Sequence, residues 1–282
     1  MAPANILTDT EPVQDPDDPT RMRSVITDAW GLVFAQGGVV MAAALRAMQQ
    51  VLDRPDLSLA SATATFCKPV PCGPVTTDVE VLRSGRRGAQ VLGKLIAPGS
   101  GSAGPNVVVT AVFTDPAIDG PTVKPLRQPP ELLGPPPAPQ PRSGEESPYP
   151  LAFLDNTQWR TAAAQIPAQP SEGEVPRLPV WFRFTDPPAP PNEHWHPALL
   201  CIPGDSLGTA LTVALGSGDR PIGSVSLQIS IDICAPTRGT WIGIDSTCTD
   251  VSNGLASGVL YMWSEDGTFV ASVTQRALLR SL

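Results

Sequence analysis

GGVVMAAALRAMQQVL, residues 37–52, is small or apolar on almost every side, with Arg46 and the Gln49–Gln50 pair as its polar surface. A helix this apolar all round has to be wrapped by other structure rather than laid on a surface. The sequence that follows supplies the wrapping. Asp53, Arg54 and Pro55 close the helix, and strand-like runs come next: LSLASATATF from Leu57, VTTDVEVLR from Val75, AQVLGKLIA from Ala89 and NVVVTAVFT from Asn106. PCGP, SGRRG and PGSGSAGP stand between them, and such clusters are turn punctuation between strands.

The pattern recurs. DSLGTALTVALG, residues 205–216, reads as a second helix, with Asp205 at its N-cap and Gly216 near its end. SVSLQISIDI, TWIGIDSTCT, LASGVLYMW and TFVASVTQRALL follow, broken by APTRG, DVSNG and SEDG. One helix followed by a long-stranded antiparallel meander, twice over, predicts an α+β chain of two sheets, each folded around a central helix. Prolines crowd residues 116–150, densest in LGPPPAPQPRSGEESPYP, and such a stretch lacks the backbone donors of a sheet or helix interior. The expected partition is an acidic flexible tail over 1–20, a first domain over 21–115, a proline-rich linker over 116–150 and a second domain over 151–282.

Composition narrows the function classes. A chain with 41% hydrophobic and 16% charged residues is globular rather than disordered. A net charge of −8 argues against a nucleic-acid partner, which needs a basic footprint. The five cysteines (Cys67, Cys72, Cys201, Cys234, Cys248) are scattered without CxxC spacing and read as reduced thiols. His194 and His196, in NEHWHP, are too few for a zinc site, and no metal or cofactor is expected. No leader pattern is read at the N-terminus, and the apolar stretch from Val39 to Leu45 is far too short to span a bilayer. The expectation is a cytoplasmic protein with neither membrane nor nucleic acid as partner.

One residue breaks the apolar pattern. In DGTFVASVTQRALLR, residues 266–280, alternation puts Gln275 on the same face as Phe269, Ala271, Val273, Ala277 and Leu279. A buried amide without partners costs about 1–3 kcal/mol, so Gln275 is expected to bond something, either structurally or in a site.

GGVVMAAALRA, then FCKPVPCGPVTTDVEVLRSGR, then W…IDST, then DGTFVASVTQRALLR together resemble the TesB-like acyl-CoA thioesterases over roughly residues 21–280. The resemblance implies a double hotdog: two helix-in-sheet domains in one chain, forming a pseudo-dimer. It also implies hydrolysis of an acyl-CoA thioester by a water that an Asp, a Thr or Ser, and a Gln orient. Carried onto this sequence, the Gln falls on Gln275 and the hydroxyl on Thr247 of IDST. The acid's position, counted back from Pro236, falls on Gln228, which carries no charge. Asp245 is the carboxylate nearest to replace it. Asp232 lies about 13 Å from Gln228 along the strand, and Asp205 reads as a helix cap.

Two substrate contacts complete the expectation. Gly37 and Gly38 open the first helix, where free N–H groups and the dipole suit a thioester oxyanion or, equally, tight packing. Arg83, Arg86 and Arg87, in LRSGRRG, form a basic turn that suits the phosphates of coenzyme A or simply solvent. With Gln228 at the acid's position, the alternative function is an acyl-CoA binding protein with little hydrolysis. A hydratase, which needs a placed acid/base pair, fits least. Sheet backs in this fold need covering, so a homo-oligomer is expected.

Overall fold

The computed structural model describes residues 4–99, 104–121, 123, 127–138, 151–161, 175–190, 192–216 and 222–281. Its strands are β1 (Val13–Gln14), β2 (Arg21–Ile26), β3 (Ser58–Phe66), β4 (Gly73–Gly85), β5 (Gly88–Ile96), β6 (Val107–Thr114), β7 (Thr157–Thr161), β8 (Arg177–Phe184), β9 (Ile222–Ile233), β10 (Ile242–Ser252), β11 (Leu255–Ser264) and β12 (Phe269–Ser281). The helices are α1 (Ile6–Asp9), α2 (Gly37–Leu52), α3 (Ala152–Asn156), α4 (Cys201–Gly204) and α5 (Leu207–Leu215). All strands join one sheet in the order β1-β2-β4-β5-β6-β3-β9-β12-β11-β10-β8-β7. The β3–β9 pair splices the two halves, with Thr63 opposite Ser230 and their hydroxyl oxygens 2.9 Å apart. This is the double hotdog that the resemblance implies, with the two sheets expected from the duplicated pattern joined edge to edge into one.

The apolar character of α2 is used on every side. Gly38 to Leu45, Ala47, Met48 and Leu52 are all buried, and the helix packs on β2, β4, β5 and β6 as well as on α4. A Cβ on Gly38 would stand 2.2 Å from the Cys201 carbonyl oxygen and 2.6 Å from Ile202 Cα, so glycine is what lets the core helices of the two halves touch. The second core helix is interrupted. A 3-10 turn (Pro197–Leu200) leads into α4, and the chain bends at Asp205 before α5 begins at Leu207. Pro197–Leu215 is long and apolar enough to cross a membrane by length and composition, yet 67% of that window is buried within the protein, as in a core helix.

The N-terminal segment is not the solvated tail its acidity suggested. Ile6 is fully buried in the core, and β1 pairs with β2. Arg46 of α2 explains why the segment is held: its half-buried guanidinium donates to Leu7 O at 2.9 Å and Thr10 Oγ1 at 2.7 Å. Two of the acidic residues are also tied, Asp9 to Trp30 Nε1 and Asp15 to Arg23. The proline-rich linker also does more than connect. Its 3-10 turn, Glu131–Leu133, buries Leu133 against Trp181, Trp241 and Trp263 on the outer face of the second half, and Trp181 Nε1 donates to Leu133 O at 3.0 Å. Residues 139–150 of that linker lie outside the described residues.

Gly38→Ala should destabilise the fold by about 1–3 kcal/mol or more, because the added carbon meets backbone atoms that cannot rotate away. Urea unfolding of the variant against wild type measures it.

Candidate functional site

Gln275 lies on the inner face of β12, as alternation required, and is 7% exposed. Its carbonyl oxygen accepts the Leu207 N–H at 3.0 Å, one of the free amides at the start of α5. Its amide nitrogen donates to Asp205 Oδ1 at 2.6 Å and to Ser226 Oγ at 2.8 Å, and Ser226 donates to the same Oδ1 at 2.7 Å. The other carboxylate oxygen of Asp205 accepts the Gly38 N–H at 3.0 Å. A carboxylate, a hydroxyl and an amide therefore close a three-membered cluster, seated on the N-terminus of the other half's core helix.

Local structure places each member. Asp205 sits at the bend after α4, and Ser206, not Asp205, is the N-cap residue of α5. Freed from capping its own helix, the Asp205 side chain crosses to α2. Ser226 reaches the inner face through a β-bulge. β12 pairs Arg276 with Gln228 but Ala277 with Ser226, so Leu227 is the extra residue. Without that bulge, Ser226 and Gln228 would share a face; with it, Ser226 turns inward and Gln228 is exposed.

Burial pushes the Asp205 carboxyl up to about 6, against the opposing hydrogen bonds from Ser226, Gly38, Gln275 and Gly37. Such a group is ionised at neutral pH and more basic than an ordinary carboxylate. Although this carboxylate is withdrawn, Asp205, Gly37, Phe66 and Ser226 each keep partial solvent exposure, so the cluster has a mouth. A Cβ on Gly37 would stand 2.7 Å from Asp205 Oδ2 and 3.3 Å from the Phe66 ring, so the glycine keeps that mouth open.

Residues 26–114 match the acyl-CoA thioesterase N-terminal domain, and residues 130–279 match the acyl-CoA thioesterase C-terminal domain. The chain belongs to the acyl-CoA thioesterase family. It is a thioester-hydrolysing enzyme of that family, and the solved structures similar to it share its fold over nearly its whole length. An acyl-CoA thioesterase II, TesB2, from Mycobacterium marinum is 20% identical with a TM-score of 0.71, covering 98% of each chain. A tesB protein from Mycobacterium avium subsp. paratuberculosis is 18% identical with a TM-score of 0.71, again over 98% of each chain. A hot dog fold protein from Alicyclobacillus acidocaldarius is 18% identical with a TM-score of 0.72 at the same coverage. Comparison with curated proteins gives no match.

The structure does not bring every expected residue into the cluster of Asp205, Ser226 and Gln275. Thr247 pairs with Val259 on β11, while Gln275 pairs with Gly258, whose other neighbour is Cys248. Cys248 and Ala277 pack on α5, so Thr247 faces the opposite side of the sheet. Gln228 is likewise on the outer face, where with Thr249, Thr274 and Arg276 it lines an open hollow of about 280 Å³. Asp245 is no spare base: Arg177 grips it through two hydrogen bonds of 2.5 and 2.6 Å. Thr247 and Gln228 as partners of Gln275 are therefore corrected to Ser226 and Asp205. Gly37 and Gly38 are at the cluster, with the Gly38 amide taken by Asp205. Arg83, Arg86 and Arg87 are exposed at the β4–β5 turn, which Arg54 pins near the far end of α2 by bonding Gly85 O and Arg86 O. A 16-residue helix, about 24 Å long, separates that turn from the cluster.

The sheet's internal symmetry shows where the cluster is not repeated. Counting outward from the Thr63–Ser230 pair, the extra residue Ala60 on β3 matches Leu227 on β9. By the same count Leu59 stands in the place of Ser226, and Ala111 in the place of Gln275. Both are 3% exposed core residues, so the two-fold-related position is apolar.

A carboxyl raised from 3.8 to about 6 favours the folded state most when protonated. Its contribution to stability is full below about pH 4, falls as pH rises through about 6, and is constant above. Asp205→Asn cannot titrate, so between pH 4 and pH 7 it should gain on the order of 2–3 kcal/mol relative to wild type. Urea unfolding across that range tests this.

Proposed function

We propose that the chain hydrolyses acyl-CoA thioesters to a free acid and coenzyme A, with Asp205 as general base. The observation that carries this is the Asp205 carboxylate, holding Ser226 and Gln275 at a partly open mouth on the N-terminus of α2. Water bound among the three is oriented by the Gln275 amide and the Ser226 hydroxyl. Asp205 takes one proton from that water as its oxygen bonds to the thioester carbon. The carbonyl becomes an oxyanion beside the α2 N-terminus, where the helix dipole favours negative charge. Collapse reforms the carbonyl and breaks the carbon–sulfur bond. The leaving thiolate receives the proton from Asp205, and the carboxylate is restored.

The alternative, an acyl-CoA binder with little hydrolysis, rests on Gln228 standing at the acid's position. Asp205 in the cluster supports hydrolysis over that alternative. The basicity of Asp205 also suits the role, since a general base works best with a pKa near the operating pH.

Release of free thiol from acyl-CoAs of short to long chain is the test. Turnover should fall roughly 10²–10⁴-fold in Asp205→Asn, the usual worth of a general base, and fall in Gln275→Ala as well. Gln228→Asp should change turnover less than about twofold, because the side chain lies on the other face and surface changes away from a site are nearly neutral. In wild type, kcat/KM should rise through about pH 6 with the slope of one proton as Asp205 ionises. Full activity in Asp205→Asn would remove the proposed base.

A further inference from the structure

We propose that Gln36 is a positioning residue for this reaction, fixing Asp205 by bonding its backbone while disposing of the helix amide that would compete for its carboxylate. The inference rests on the reading of Asp205 as the base. Gln36 is 4% exposed and stands immediately before α2, on the half of the chain that contributes no side chain to the cluster. Its side chain makes bonds in two directions. The carbonyl oxygen accepts the Val39 N–H at 2.8 Å. The amide nitrogen donates to Ile202 O at 3.2 Å and to Asp205 O at 3.4 Å, both on the other half. Ile202 O also receives the Asp205 N–H at 3.3 Å, and Cys201 O receives it at 3.0 Å. The bend that carries Asp205 is thus tied on its amide side by α4 and on its carbonyl side by Gln36.

The bond to Val39 matters for the carboxylate. The start of α2 offers several N–H groups free of intrahelical partners. Asp205 takes the Gly38 N–H and Gln36 takes the next. Remove the Gln36 carbonyl, and the Val39 N–H becomes a free donor at the same helix end that already gives Asp205 its Gly38 N–H. Each further donor makes a carboxylate more acidic and a poorer base. Gln36 therefore limits how strongly α2 stabilises the Asp205 anion.

The charged and titratable surroundings make the effect readable. Among the described residues, the titratable group interacting with Asp205 is Cys201 of α4, whose thiol burial pushes well up and keeps neutral. The remaining groups held against the carboxylate, Gly37 and Gly38 of α2, Ser226 of β9 and Gln275 of β12, carry no charge. A shift in the acid limb of the pH profile then reports on Asp205 itself.

The experiment measures kcat and KM for one acyl-CoA from pH 4.5 to 8 in wild type, Gln36→Leu, Gln36→Glu and Asp205→Asn. Gln36→Leu should lower kcat roughly tenfold with KM little changed, and move the acid limb down by about one pH unit. Gln36→Glu keeps an acceptor for Val39 but adds a negative charge beside Asp205, and should move the limb up by about one unit. Opposite shifts are what a merely structural residue would not give. A dead Asp205→Asn with both Gln36 variants keeping the wild-type limb would overturn this inference and leave the base in place. An active Asp205→Asn would overturn the base and the inference with it. If Gln36→Leu fails to fold, the near-isosteric Gln36→Glu decides alone, and an unmoved or lowered limb in it overturns the proposal.

Discussion

One carboxylate, reaching from the second half of the chain to the first amides of α2, joins the fold to its chemistry. Asp205 bonds Gly38 at the N-terminus of a helix it does not belong to, and in doing so it collects Ser226 and Gln275. The contact is possible because Gly38 lets α2 lie against α4 with backbone touching backbone. Any side chain there would push apart the two halves that the cluster bridges. Close packing and the site are one constraint.

The cost of that constraint is visible in the carboxyl's proton affinity. Withdrawing an anion from water is unfavourable, and the hydrogen bonds from Ser226, Gly38, Gln275 and Gly37 only partly offset it. The remainder is what holds Asp205 near 6 instead of in the ordinary carboxylate range. For the base proposed, full solvation would leave the carboxylate weakly basic at neutral pH, and turning every helix amide on it would weaken it further. Functional sites commonly retain such a destabilised group because the same strain supplies reactivity.

The two halves share one sheet pattern and differ in their side chains and in the break at Asp205 of the second core helix. Both β3 and β9 carry a bulge at the matching place. Yet Leu59 and Ala111 fill the positions that Ser226 and Gln275 occupy opposite them. The first half gives up its polar groups to core packing and contributes a helix N-terminus. The second half contributes the side chains.

Much of this was written locally. The range of α2, the strand runs that follow each core helix and the inward face of Gln275 come from periods of 3.6 and 2, which depend only on near neighbours. The sequence by itself therefore determined the duplicated helix-and-meander architecture and pointed to one polar residue on an apolar face. It could not place that residue's partners. An unpaired residue at Leu227 reverses which side chains of β9 point inward, and a bulge leaves no mark in composition. Asp205 read as a cap for the helix next to it, whereas the helix it meets lies more than 160 residues earlier in the chain. The acidic start of the chain read as tail because its anchor, Arg46, stands far along the sequence. Only the tertiary structure decided these pairings, because a side chain's hydrogen-bond partner is set by what packing brings within about 3 Å, not by what stands beside it in the chain.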